Sequence, residues 1–270
     1  MKYKLTRDKV QPNPTIEQAD ALLEEARQFG ATEIESIGGG SVIDVGKYIA
    51  WNLKISHHVI PTTAGTGSEV TKFAVFMVNG KKKTIEDEGM IPTSYELKPE
   101  LVTSCPEEVT IASGLDALAH AIESYWSPYA TPDSKVYANR AITGVTSSLY
   151  DSYKNPENEF LRGQMLEAAN NAGRAINITK TSICHALSYP LTRKGMPHGM
   201  AVASVLPIFM EHFNFDSAIT KQVARLVESF GIKKPEFTEE DIEEAMQSER
   251  FYNTPKPVTK EILCKLISLT

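Results

Sequence analysis

Cysteine is scarce in this chain, with three in 270 residues: Cys105, Cys184 and Cys264. Three thiols make no disulfide framework, so a reducing cytoplasm is the natural compartment. Cys184 adjoins His185, and a buried, inert thiol is the expectation for it. No apolar run is long enough to span a bilayer. The opening MKYKLTRDKV holds no signal-peptide core. Positive charge is in deficit, with 28 Lys and Arg against 34 Asp and Glu and a net charge of -6. That balance argues against a dedicated nucleic-acid surface. The Lys81-Lys82-Lys83 run is followed closely by Glu86, Asp87 and Glu88 and reads as a solvated hairpin tip. No internal repeat or low-complexity tract is visible. The partner expected is therefore a small molecule, not nucleic acid and not a membrane. Histidine is sparse too, at six residues, which makes its placement informative.

A hydrophobic content of 41% and a charged content of 23% describe a soluble globular protein. Residues 15–29 carry apolar positions at helical spacing, with a capping-box pattern at Thr15 and Gln18 and a stop at Gly30. A strand over 33–37, a helix over 42–52 and a strand over 58–61 follow. Strand, helix, strand is the parallel βαβ pattern. Residues 72–79 and 82–87 flank Gly80-Lys81 and read as a β-hairpin, and residues 2–5 are one further candidate strand. His57 and His58 adjoin a strand start and are read as structural or exposed.

Two turns lie at the carboxyl ends of these strands, where open α/β sheets bind ligands. The first is Gly38-Gly39-Gly40-Ser41. Glycines let backbone N–H groups approach an anion without obstruction from Cβ, and a helix starting there adds its positive dipole end. A turn serving geometry alone is the competing reading. The second loop, residues 62–69, is rich in hydroxyls and glycine and favours a pyrophosphate site.

From Ser104 onward strand signals fade. Helices are expected over 111–125, 134–149, 159–176 and 182–191, with two or three short ones over 217–269 separated by Pro235 and by residues 253–257. The chain divides into an α/β domain, 1–105, and a helical domain, 106–270, with the boundary near 103–108 and a cleft between them. Asp116 and His120, four apart in GLDALAHAIESY, share one helix face. They read either as an ion pair or as metal ligands. With His185 and His198 they make three imidazoles and one carboxylate, a set that suits Fe(II) or Zn(II).

Taken together, the stretches NPTIEQADALLEEARQFGATEIESIGGGSVIDVGK, VIPTTAGTGSEVTKFAVF, PEEVTIASGLDALAHAIESYWSP and CHALSYPLTRKGMPHGMAVASVLP resemble the iron-containing (group III) alcohol dehydrogenases. That family shares a fold with dehydroquinate synthase and glycerol dehydrogenase. The resemblance implies a partial Rossmann-like parallel-sheet domain (α/β) followed by an all-α metal-binding domain. It implies Asp116, His120, His185 and His198 as metal ligands. Gly38, Gly39, Gly40, Ser41 and Asp44 then fall on the pyrophosphate turn, and Thr62, Thr63, Gly65, Thr66 and Ser68 on the second cofactor loop. For Lys47, near the turn, a surface position is the alternative to a role there. The chemistry implied is hydride transfer between a nicotinamide, NAD(H) or NADP(H), and a small alcohol or aldehyde.

The family often carries a proton-relaying histidine four residues after His185; here that position is Tyr189, a candidate proton donor or substrate contact. The stretch AINITKTSICHALSYPLT resembles the subgroup that reduces phosphonate aldehydes. Lys180, Arg193 and Lys194 then become candidates for holding an anionic substrate. Against the family pattern the chain reads as shortened before Asn13 and after His212. An impaired relative that keeps the fold is the alternative to an active enzyme. A lyase on the same fold and a zinc hydrolase fit the three-histidine set and the glycine turns less well. Family members commonly associate, so a homodimer stays open.

Overall fold

The computed structural model describes residues 1–267; Ser268 and Leu269, the end of the last expected helical stretch, lie outside the described residues. The first half is built on a parallel sheet of four strands in the order β1-β2-β3-β6, formed by β1 (Lys2–Thr6), β2 (Glu33–Gly38), β3 (Ser56–Pro61) and β6 (Ser94–Tyr95). Parallel neighbours need crossovers. Helix α1 (Ile16–Phe29) supplies the first and α2 (Gly40–Leu53) the second. The Thr15 side chain caps α1 by accepting the N–H of Gln18, and Gly30 ends it at φ 70°. Only half of the expected capping box forms, because Gln18 Oε1 is buried without a partner. The candidate strand at the N-terminus is real and pairs with β2 in register from Lys2↔Glu33 to Thr6↔Ile37.

Strands β4 (Phe73–Val78) and β5 (Lys81–Glu86) form a separate antiparallel hairpin. Asn79 and Gly80 both take positive φ, the backbone that a two-residue hairpin turn needs. The lysine run is therefore not the tip. Lys81, Lys82 and Lys83 are the first three residues of β5, because the turn falls one residue earlier.

The second half is helical: α3 (Glu107–Trp126), α4 (Pro132–Lys154), α5 (Glu159–Thr179), α6 (Ile183–Arg193), α7 (His198–His212), α8 (Ser217–Ser229), α9 (Glu239–Met246) and α10 (Lys260–Ile267). Three short helices do follow residue 217. The helix α7 was not expected, since Pro207 sits inside it. Helix α3 is buried almost all round and packs on α4, α5 and α7, as a central helix must. Apolar side chains collect in two clusters, one from Tyr3 to Met90 and one running from Ala64 and Val102 to Ile267. Among the described residues no helix is long and apolar enough to cross a membrane.

Candidate metal and cofactor site

Helix α3 carries Asp116, His120 and Glu123 at i, i+4 and i+7, all buried on one face. His185 comes from the first turn of α6 and His198 opens α7. Gly199 permits that last placement. A Cβ on it would lie 1.8 Å from the carbonyl oxygen of Ala112, so only glycine lets α7 start this close to α3.

Three imidazoles meet one carboxylate oxygen. Asp116 Oδ1 lies 3.6 Å from His120 Nε2, 3.3 Å from His185 Nε2 and 3.6 Å from His198 Nε2. Four ligands about 2.1 Å from a tetrahedral metal stand about 3.4 Å apart, so the three distances to Asp116 match that spacing. The ligand atoms of Asp116, His120 and His185 all lie within 4.8 Å of one another, and His198 joins this group at Asp116. Asp116 Oδ1 and His185 Nε2 are buried and hydrogen-bond to nothing. Such orphaned atoms are costly unless something else satisfies them, and a divalent cation would. Burial opposes ionisation of Asp116, but the surrounding histidines hold its carboxyl well below the usual range. Burial lowers His120 to about 4 and His198 to about 3, so both are neutral at pH 7, as a ligand must be.

Two of the three rings have a partner on the far nitrogen, while His120 Nδ1 is buried with none. Glu123 is the buried partner of His185 Nδ1, and its carboxylate also accepts the backbone N–H groups of Ser182, Cys184 and His185. Burial alone would lower the pKa of His185; the carboxylates of Glu123 and Asp116 outweigh it and raise it to about 9. Ser188 Oγ stands 3.3 Å from His198 Nδ1. Carboxylate and hydroxyl partners of this kind fix which nitrogen faces a metal.

The glycine turn and the threonine loop come together at the carboxyl edge of the sheet. Gly38 is in register with Pro61, and the N–H of Thr62 donates to the Gly38 carbonyl at 3.0 Å. A Cβ on Gly39 would meet Thr63 at 3.2 Å and one on Gly40 would meet Thr66 at 2.9 Å. Helix α2 begins at Gly40, two residues earlier than expected, so its free N–H groups face the turn. Ser41 Oγ accepts the N–H of Asn13, and Thr66 Oγ1 accepts the N–H of Ser68. Gly65 and Gly67 bring the loop against the helical half. A Cβ on Gly65 would meet Ser113 at 2.6 Å, and one on Gly67 would meet Gly173 Cα at 2.5 Å.

Asp44 ties these parts together. One of its carboxylate oxygens accepts from Ser68 Oγ at 2.6 Å and the other from the N–H of Val75 at 2.9 Å. Both oxygens are thus engaged by the protein, and burial raises the carboxyl pKa. Lys47 is not at the surface. It is wholly buried and donates to Thr71 Oγ1 and the Phe73 carbonyl at 2.9 and 2.8 Å. Burial lowers its pKa to about 8, against the opposing charges of Asp44 and Glu69.

Lys180 is not brought to the cluster. It follows α5 at a positive φ of 62°, and its ammonium pairs with Glu86 of β5 at 2.7 Å. Arg193 and Lys194 are likewise spent on Glu244 and Asp241. Tyr189, half-buried on α6, faces the guanidinium of Arg250, 5.7 Å from its ring centroid. Arg250 and Lys82 were not singled out from the sequence. Lys82 stands within electrostatic reach of Asp116, His198 and Arg250. His57 is buried against Ser36 Oγ at 2.8 Å, and His58 pairs with Ser94 Oγ. Burial pushes the Cys184 thiol pKa up, which keeps it inert.

Residues 1–99 match the iron-containing alcohol dehydrogenase family, and residues 110–254 match the C-terminal part of the Fe-containing alcohol dehydrogenase family. The chain belongs to the iron-containing alcohol dehydrogenase family. Among its relatives, a sulfoacetaldehyde reductase of Bilophila wadsworthia is 32% identical over 226 residues, 76% of this chain and 58% of that protein. Alcohol dehydrogenase 4 of Saccharomyces cerevisiae is 31% identical over 270 residues, 92% of this chain and 70% of that one. The chain thus spans little more than half the length of the first of these relatives. The structure superposes on sulfoacetaldehyde reductase from Bifidobacterium kashiwanohense in complex with NAD+ with a TM-score of 0.89 at 30% identity, covering 96% of this chain and 81% of that one. An iron-containing alcohol dehydrogenase from Thermotoga maritima gives 0.85 at 29% identity, covering 96% and 82%. The α/β sheet followed by a helical half is the fold of these neighbours.

Proposed function

We propose that this chain is a metal-dependent, NAD(P)-linked alcohol dehydrogenase working on a small aldehyde or alcohol, phosphonate and sulfonate aldehydes among them. One observation carries the reading: three imidazole nitrogens converge on a single buried, unpartnered carboxylate oxygen at 3.3–3.6 Å. Asp116, His120, His185 and His198 would hold Fe(II) or Zn(II), and the turn 38–41 with the loop 62–68 would hold the pyrophosphate of NAD(H) or NADP(H). The metal would polarise a carbonyl oxygen as a Lewis acid, and the nicotinamide would deliver hydride to the carbonyl carbon.

The chain's own residues supply the rest. The N–H groups at the start of α2 would bind the pyrophosphate. Asp44 and Lys47 hold turn, loop and hairpin in one arrangement and keep that anion site formed. Tyr189 stands one helical turn after His185 and is suited to give a proton to the alcohol oxygen. A phenol of pKa about 10 is a poor base at neutral pH but a serviceable donor. The three free thiols suit a reducing cytoplasm. The convergence of the three histidines on Asp116 favours an active dehydrogenase over an impaired relative.

The experiment is metal stoichiometry on anaerobically purified protein with iron and zinc available, followed by NADH and NADPH oxidation with small aldehydes. About one metal per chain, lost in His198→Ala together with activity, is the expected result. Full metal content and activity in His198→Ala would refute the ligand assignment.

A further inference from the structure

The cations first considered for an anionic substrate, Lys180, Arg193 and Lys194, are each paired with a carboxylate of the protein. Arg250 is not. It lies in a short helical turn, Glu249–Tyr252, and its position is fixed from the next residues. Asn253 Nδ2 donates to the carbonyls of Thr179 and Thr181 at 2.8 and 2.9 Å, and Asn253 Oδ1 accepts from Ser127 Oγ at 2.7 Å. This clamp seats the segment on the ends of α3 and α5, beside the start of α6. The Arg250 side chain then crosses to the hairpin and donates to Thr84 Oγ1 at 3.0 Å. Its Cζ lies over the Tyr189 ring, 5.7 Å from the centroid.

A guanidinium has five N–H donors. Among the described residues, the bond to Thr84 is the side chain's one hydrogen bond, and no carboxylate comes within salt-bridge distance of it. The carboxylate that acts on it electrostatically is Glu123, which is already committed to His185 and three backbone N–H groups. Lys82, exposed on β5, is within electrostatic reach of Arg250 and adds a second positive charge. A half-buried guanidinium with most of its donors unspent, and a second cation within electrostatic reach, is a ready seat for an anion. Arg250 lies over Tyr189, one helical turn after His185, and within electrostatic reach of His120, so an anion on its fork sits beside the proposed metal cluster.

We infer that Arg250 is the specificity-determining residue of this site and that the substrate is a short aldehyde bearing a terminal oxyanion, a sulfonate, phosphonate or carboxylate. The guanidinium takes the oxyanion in its fork, the Tyr189 ring holds the guanidinium plane, and the carbonyl end reaches the cluster. A planar fork matches such oxyanions in a way that a lysine does not. The inference deepens the dehydrogenase reading and rests on it for the reaction, but not for the binding.

The test is calorimetric titration of the metal-loaded full chain with 2-hydroxyethanesulfonate, 2-hydroxyethylphosphonate, 3-hydroxypropionate and neutral 1-propanol. Wild type, Arg250→Gln and Arg250→Lys are compared, with NADH affinity measured on each. At least one anionic alcohol binds the wild type more tightly than 1-propanol, and which one identifies the oxyanion. Arg250→Gln weakens it roughly 10- to 100-fold, the size of a lost charged hydrogen bond, and Arg250→Lys restores part. Binding of 1-propanol and NADH stays within about threefold, as expected where no contact is lost. Equal affinity of the wild type for all four alcohols overturns the inference without any variant. So does anion binding unchanged in Arg250→Gln, or a loss confined to NADH, which would make Arg250 a cofactor contact. Arg250-dependent anion binding with no NADH oxidation on any aldehyde leaves the inference standing and sinks the dehydrogenase reading alone.

Discussion

Glu123 and His185 are locked together: the carboxylate that binds the Nδ1 side of the ring also accepts the N–H groups of Ser182, Cys184 and His185 at the start of α6. One side chain therefore caps a helix and aims a proposed ligand. It sits one turn beyond His120 on α3, so the two ligand-bearing helices are coupled through it. Glu123→Gln keeps the shape and removes the charge. The expected outcome is a 10- to 100-fold loss of metal affinity, the usual cost of removing a partner behind a ligand. Competition with a chelator of known affinity measures it. Unchanged affinity would mean that helix packing alone orients His185.

Gly199 sets the distance between α7 and α3, with 1.8 Å between a would-be Cβ and the Ala112 carbonyl oxygen. The obstacle is backbone, so it cannot swing aside. Gly199→Ala should cost about 3 kcal/mol of stability, the upper end for overpacking, and should displace His198 from Asp116. Thermal unfolding and metal content of the variant check both effects. A variant with normal metal content would show that α7 can shift without carrying His198 along.

Much of this site was legible because its signals are local. Asp116 and His120 announce themselves by their spacing, and the glycine turn by composition. The residues behind them do not. Glu123 lies three positions after His120 and looks like a solvated helix charge until α6 is folded onto it. Lys47 looks like a surface lysine, because only the chain at Thr71 and Phe73, 24 and 26 residues on, gives it acceptors. Arg250 reaches the site through the Asn253 clamp and the hairpin, both long-range contacts. Helix α7 was hidden by Pro207, whose cost to a helix is overcome by burial of the flanking residues Val205, Leu206 and Phe209.

Lys180 supplies a negative control. Its partner Glu86 is half-exposed, and the lysine is more so. An exposed pair of this kind contributes about 0–1 kcal/mol. Lys180→Ala should leave metal content unchanged and kcat/KM for anionic aldehydes within about twofold, since an unaltered contact set costs little. Steady-state kinetics against Arg250→Gln make the comparison. A loss in Lys180→Ala equal to that in Arg250→Gln would return Lys180 to the substrate site.

His57 makes the fold acid-sensitive from a place remote from the metal ligands. Its ring is buried between β2 and α2, with Nε2 on Ser36 Oγ and Nδ1 without a partner. Burial lowers its pKa to about 3, helped by the charge of Lys47, against 6.5 as the reference value. Between those two values the unfolded chain binds the proton and the folded chain does not. Stability therefore rises with pH in that window: the contribution is complete above 6.5 and is lost progressively as pH falls toward 3. The slope from this one group is at most about 1.4 kcal/mol per pH unit. His57→Gln keeps a polar contact to Ser36 without the titration. Urea unfolding at pH 7 and pH 5 should show the wild type losing more stability than the variant. Protonation of the metal ligands acts on both proteins alike, so the difference isolates His57. Parallel losses would mean that His57 is protonated in the folded chain, and that the sheet opens to water near it.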